Sequence, residues 1–116
     1  MKRDIDLDHA ILQKVESWDE PLHLEDLFPM AGYSEDQIAY NVKKLFEENG
    51  IDAESFDEFG VPYRRFSNIE LTPKGHDALD AMNDDARMNK FKTFLIKTGK
   101  AFTLDLLLAW AKDLVS

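Results

Sequence analysis

The chain has 116 residues, 44% of them hydrophobic and 11% aromatic, which is apolar material for one ordinary core and leaves no room for a second independent domain. It contains no cysteine, which excludes disulfides, thiolate zinc sites and thiol redox chemistry and fits an intracellular setting. The formal charge of −9 is uneven: residues 1–85 hold 8 Lys and Arg against 21 Asp and Glu, a net of −13, whereas residues 86–116 hold 6 against 2, a net of +4.

An acidic body of this kind repels nucleic acid and favours basic partners. The opening MKRDIDLDHAIL follows its basic residues with acidic positions instead of an apolar run, unlike a signal peptide. No apolar run approaches the roughly 20 residues needed to cross a bilayer. A soluble cytoplasmic protein with no membrane partner is expected.

In chain order, Leu7, Ile11, Leu12, Val15 and Trp18 recur at helical spacing and predict a first helix over Asp6 to Trp18, with Asp4, Asp6 and Asp8 around its anion-favouring N-terminus. Pro21, Pro29 and Gly32 break the next stretch, which has room for a short extended piece near Leu22 to Leu24 and one helical turn through Leu27. Ser34 and Gln37 then form a capping box, with Tyr33 and Ile38 in the positions of a hydrophobic staple. The helix they open runs to about Glu48, buries Ile38, Val42, Leu45 and Phe46, and ends on Asn49 and Gly50 as left-handed residues.

After Gly50 the apolar residues come near alternation around Gly60 and Pro62, which predicts two strands and a loop. The second strand, about Arg65 to Leu71, gives way at Thr72, an N-cap, and Pro73 at the first helical position, to a helix with Ala78, Leu79 and Met82 inward. Phe91, Phe94 and Leu95 mark another helix that stops near Thr98 and Gly99. Thr103 caps the last one, whose apolar residues cover more than half its circumference. The expected fold is mainly α with a small β-hairpin: a winged helix-turn-helix-like module over residues 1–85 and two C-terminal helices over residues 86–116, forming a single domain overall.

The opening MKRDIDL, the segment YSEDQIAYNVKKLFEENGI and above all LTPKGHDALDAMNDD resemble a family of short proteins of bacterial phages and prophages, described as a domain of unknown function. The likeness covers nearly the whole chain, and its markers are the M-K-R-D start and the L-T-x-x-G-H motif. Family members tend to have Trp at the position of Pro73 and again near Met88, both of which suit a helix start and a core position. The resemblance implies a phage setting and a winged-helix-like fold; it brings no assigned activity and so no functional residue.

No catalytic constellation is visible, and an enzyme is not expected. His76 and Asp80 share a helix at a spacing two metal ligands can use, but no third ligand stands at a recognisable spacing, and the simpler role for His76 is a hydrogen bond fixing the strand-to-helix junction. The glycines are isolated, so no phosphate-cradling loop is present, and with no Cys and no Ser near a His nucleophilic catalysis has no candidate; no metal and no cofactor is expected. For nucleic acid the residues to consider are Tyr40, Lys43 and Lys44 on the second helix and Tyr63, Arg64 and Arg65 on the wing, against Glu35 and Asp36 at the helix end that normally faces bases and phosphates. For protein contacts they are Leu106, Leu107, Trp110 and Leu114, one flank of the last helix, which also suits a homodimer through that helix. The leading expectation is a protein-interaction module, an adaptor or inhibitor acting on a host or phage protein; the alternative is a winged-helix DNA-binding regulator, disfavoured by charge.

Overall fold

The structure, a computed structural model, describes residues 2–115, and for residues 114 and 115 the backbone alone; the side chain of Leu114 lies outside the described residues. Five helices and one small antiparallel sheet follow the expected order. Helix α1 spans Ile5–Ser17 with Asp4 as its N-cap, the Asp4 carboxylate accepting from the backbone N–H groups of Asp6 and Leu7. A 3-10 turn over Leu24–Leu27 leads to α2, Glu35–Glu47, where Ser34 and Gln37 close the capping box.

Strands β1, Ile51–Phe56, and β2, Arg65–Leu71, pair antiparallel with a bulge: Asp52 faces Glu70 while Glu54 faces Ser67, so two residues of β2 oppose one of β1. Asn68 sits in the bulge at φ 54°. The bulge frees the backbone of Ile69, whose N–H donates to the Leu22 carbonyl at 2.7 Å and whose carbonyl accepts from Leu22 at 3.2 Å. Leu22 thus adds a single rung on the far side of β2. Helices α3, Pro73–Met82, α4, Asp85–Thr98, and α5, Leu104–Val115, complete the chain.

One hydrophobic core serves all of these elements. Leu7, Ile11 and Leu12 of α1 meet Ile38, Val42 and Leu45 of α2, Phe66 and Ile69 of β2, and Leu79 and Met82 of α3, all essentially free of solvent. The last two helices share it through Phe91, Leu104 and Leu107. The covered line of α5 is Leu104, Leu107 and Ala111, a stripe that shares only Leu107 with the flank Leu106, Leu107, Trp110 and Leu114. Trp110, half-buried, packs on Phe91 with ring centroids 5.2 Å apart, and Leu106 and Leu108 are also half-buried.

The α2 terminus refines one expectation. Asn49 alone adopts the left-handed conformation, at φ 62°, and the Gly50 N–H reaches back to the Leu45 carbonyl at 2.8 Å while Asn49 N–H bonds Phe46, a Schellman closure. Gly50 serves instead as a place of close approach. A Cβ at Gly75 would stand 2.0 Å from the Gly50 carbonyl oxygen, and one at Gly50 would stand 2.5 Å from Leu104 Cδ1. Thr72 locks the same joint: its hydroxyl donates to the Asn49 carbonyl at 2.6 Å and accepts from Gly75 N–H at 3.0 Å. His76, expected to fix this junction, has an exposed side chain whose Nδ1 lies 3.8 Å from the Glu16 carboxylate; Thr72 and the two glycines do that work.

A polar cluster ties the N-terminus into the core. Asp8, read from sequence as one of several acids near a helix start, is fully buried. Arg3 Nε donates to its carboxylate at 2.8 Å, and Arg3 Nη1 donates to Glu48 at 2.7 Å. The Asn41 amide donates to Asp8 at 2.9 Å and to the Asp4 carbonyl at 2.8 Å, and the other Glu48 oxygen accepts the Leu104 N–H at 3.1 Å. Burial pushes the Asp8 pKa up to about 7, against the opposing pull of the Arg3 charge and the hydrogen bonds from Arg3 and Asn41.

Two outcomes follow for stability. Gly75→Ala should destabilise the chain by about 2 kcal/mol or more, because its methyl group meets backbone that cannot rotate away; chemical denaturation checks it, and a loss under about 0.5 kcal/mol would remove the close-packing role. Between its ordinary 3.8 and about 7, the folded chain retains the Asp8 proton that the unfolded chain has released. Stability should therefore fall as pH rises through that window and gain no further slope from Asp8 above it. Urea unfolding of Asp8→Asn should show that loss abolished relative to wild type; a stability gap constant with pH would mean the buried carboxyl is ionised throughout.

Candidate functional site

The loop joining β1 to β2 folds toward α2 and leaves a groove of about 570 Å³ between them. Asp36, Tyr40 and Lys43 line it from α2, and Asp57, Tyr63 and Arg64 line it from the loop. Four of the six nucleic-acid candidates therefore meet in one concavity: Tyr40, Lys43, Tyr63 and Arg64. Lys44 lies outside it, its ammonium 5.4 Å above the Tyr40 ring and 3.7 Å from Glu47.

Local chemistry shapes each wall. Tyr63 packs edge-on against Phe28, centroids 6.1 Å apart, which braces the loop on the segment preceding α2. Its hydroxyl pKa is raised first by burial and then by the carboxylates of Glu35, Asp36 and Glu58. Arg64 contacts Ser55 and stands 3.4 Å from the Asp57 carboxylate. Arg65 is held more firmly, by Glu58 at 2.8 Å and by Glu25. Both Arg64 and Arg65 are thus already matched by acids of the same chain. The field over this groove is set by Asp36, Asp57 and Glu58 against Lys43 and Arg64.

At the end of the loop stands a feature the residue pattern left unremarked. Phe59 is fully exposed, and Phe56 at the end of β1 is about half exposed. Gly60 follows at φ 84°, a left-handed turn position that leaves the preceding side chain no interior to enter. An aromatic between Asp57-Glu58 and a turn glycine was the available signal, since a side chain at the tip of so short a loop has nothing to pack on.

The remaining candidates are dispersed. Among the described residues no three His, Asp or Glu side chains converge as a metal site requires. His76 pairs loosely with Glu16, and His9 Nε2 lies 2.8 Å from Asn83 Oδ1 in a contact between α1 and the end of α3. Of the α5 residues, Leu107 is fully buried in the chain's own core, while Leu106 and Trp110 keep part of their surface exposed. No described helix is long and apolar enough to cross a membrane.

A protein from Haemophilus influenzae described as an uncharacterized protein is 31% identical over 121 residues, a match that takes in all of this chain and 97% of that one. No solved structure matches the chain. Residues 2–101 match the family model described as hypothetical protein (DUF2513), and the chain belongs to that family.

Proposed function

We propose that the chain is a non-enzymatic protein-interaction module of winged-helix type, docking through the β1–β2 loop and the adjoining face of α2. The element order supports the winged-helix assignment: α1, the 3-10 turn and α2 precede the hairpin, and the Leu22 rung on β2 stands where such modules carry a short first strand. The observation that carries the interaction reading is Phe59, a fully exposed aromatic at the loop end, rimmed by Asp57 and Glu58. Large aromatics supply much of the energy of protein interfaces. Carboxylates beside it favour a partner surface with an apolar pocket and basic rim. The phage setting implied by the resemblance makes that partner a host or phage protein.

Binding of duplex DNA is the second reading, favoured by the position of α2 and the clustering of Tyr40, Lys43, Tyr63 and Arg64. Its difficulty is electrostatic. Phosphate neutralisation supplies most non-specific affinity, and Arg64 and Arg65 are already paired with Asp57, Glu58 and Glu25.

The two readings separate in one experiment. Immobilised wild-type chain should capture a discrete protein from bacterial lysate, and Phe59→Ala should lose it while changing stability by less than about 0.5 kcal/mol, as expected of an exposed position. In parallel, duplex DNA at low salt should show no mobility shift. A shift abolished by replacing Arg64 and Arg65 with Ala would overturn the interaction reading in favour of DNA.

A further inference from the structure

A second groove, of about 740 Å³, lies between the N-terminal residues, α2, α4 and the connection from α4 to α5. Its apolar lining comes from Ile5, Tyr40, Leu95, Ile96 and Phe102. Its charged lining runs against the rest of the molecule: Lys2, Arg3, Lys44, Lys92 and Lys100 against Asp6 and Glu48, a local +3 in a chain of −9.

These cations are not equally engaged. Arg3 is committed to Asp8 and Glu48, Lys92 to Asp6 at 2.7 Å, and Lys44 stands 3.7 Å from Glu47. Lys2 meets no carboxylate among the described residues, and Lys100 meets only the Phe94 ring, at 5.8 Å. On α4 stands Ile96, which is 83% exposed although it borders an apolar concavity. A branched aliphatic side chain in water beside a concave apolar floor has an interaction left to make.

We propose that this groove docks an acidic amphipathic helix of a partner protein. The partner's apolar stripe lies along Ile5, Leu95, Ile96 and Phe102, and its carboxylates face Lys2 and Lys100. Helix-in-groove recognition uses a few apolar anchors at i, i+3, i+4 and i+7 with matching charge at the rim, which is the combination present here. Charge complementarity fixes the sign: in a chain of net −9 the lining of this groove carries +3, which attracts a helix of acidic character. A nucleic-acid backbone fits less well, because Asp6 and Glu48 lie in the groove and the apolar floor offers phosphates nothing. This surface is separate from the β1–β2 loop and does not rest on the reading given to it.

The test uses a fluorescein-labelled Glu/Leu peptide of about 18 residues, long enough to hold a helix, with Leu at i, i+3, i+4 and i+7. Fluorescence anisotropy with the full chain at low salt should show saturable binding that weakens as salt rises. Ile96→Glu should weaken it about tenfold or more, Lys100→Glu by a similar factor, and Phe59→Ala should leave it unchanged. Both Ile96 and Lys100 are exposed, so these variants should keep the wild-type circular dichroism spectrum and melting curve. A matched Lys/Leu peptide, which the acidic body attracts at many places, should be indifferent to Ile96→Glu. No binding of the Glu/Leu peptide at about millimolar protein, or affinity unaffected by Ile96→Glu, would overturn the proposal. So would displacement of the bound peptide by a labelled single-stranded oligonucleotide, which would assign the groove to nucleic acid.

Discussion

The guanidinium of Arg3, held between the carboxylates of Asp8 and Glu48, is the contact on which the arrangement of helices depends. It arrives from outside α1, reaches a buried acid within α1, and then bridges to the C-terminal end of α2. Glu48 continues the chain of contacts to the start of α5 through the Leu104 N–H, and Phe102 stacks beneath the guanidinium at 4.6 Å. One side chain thereby sets the relative positions of three helix ends. Removing Arg3 would leave the buried Asp8 carboxyl without its counter-charge, a loss on the order of 3–5 kcal/mol, although replacing the whole cluster with well-packed apolar residues need not destabilise. Its value lies in fixing one arrangement. Among the described residues Arg3 Nη2 and Asn41 Oδ1 find no hydrogen-bond partner.

Helix α2 couples the two grooves to that cluster. Its buried face carries Ile38, Val42 and Leu45, and Asn41 enters the Asp8 network from the same helix. Tyr40 lies on its other side and lines both concavities. The loop groove is predominantly acidic, and the groove beside α4 is basic. A single helix thus separates grooves whose linings differ in charge, a net of −1 (2 bases against 3 acids) on one side and +3 (5 against 2) on the other.

Much of this architecture was legible because the decisive signals were local. Ser34 with Gln37, Thr72 with Pro73, and Thr98 with Gly99 mark helix ends by hydrogen bonds and backbone angles confined to a few residues. What was hidden depended on distance along the chain. Asp8 looks like one more acid near a helix start, and only the arrival of Arg3, Asn41 and Glu48 makes it a core residue. Gly50 reads as half of a turn, yet its true constraint is Gly75, 25 positions later, pressing on its carbonyl. The apolar residues of α5 run round more than half its circumference, so which of them face the core was set only by packing, with Phe91 of α4 against Trp110 and the core line along Leu104, Leu107 and Ala111. The pairing of Arg65 was likewise invisible, since Glu25 reaches it from before α2.

The rung between Leu22 and Ile69 has a consequence for how the chain behaves at high concentration. A two-stranded sheet ordinarily offers two open edges to which another strand can add. On the β2 side the bulge turns the Ile69 amide and carbonyl toward Leu22, and this single residue occupies the edge where extension would begin. On the β1 side the edge stays open, but it carries the exposed carboxylates of Asp52 and Glu54. A second copy approaching in register would set like charges beside one another. A blocked edge on one side and like-charge repulsion on the other thus both disfavour addition of a further strand to the hairpin, beside a loop that carries an exposed aromatic.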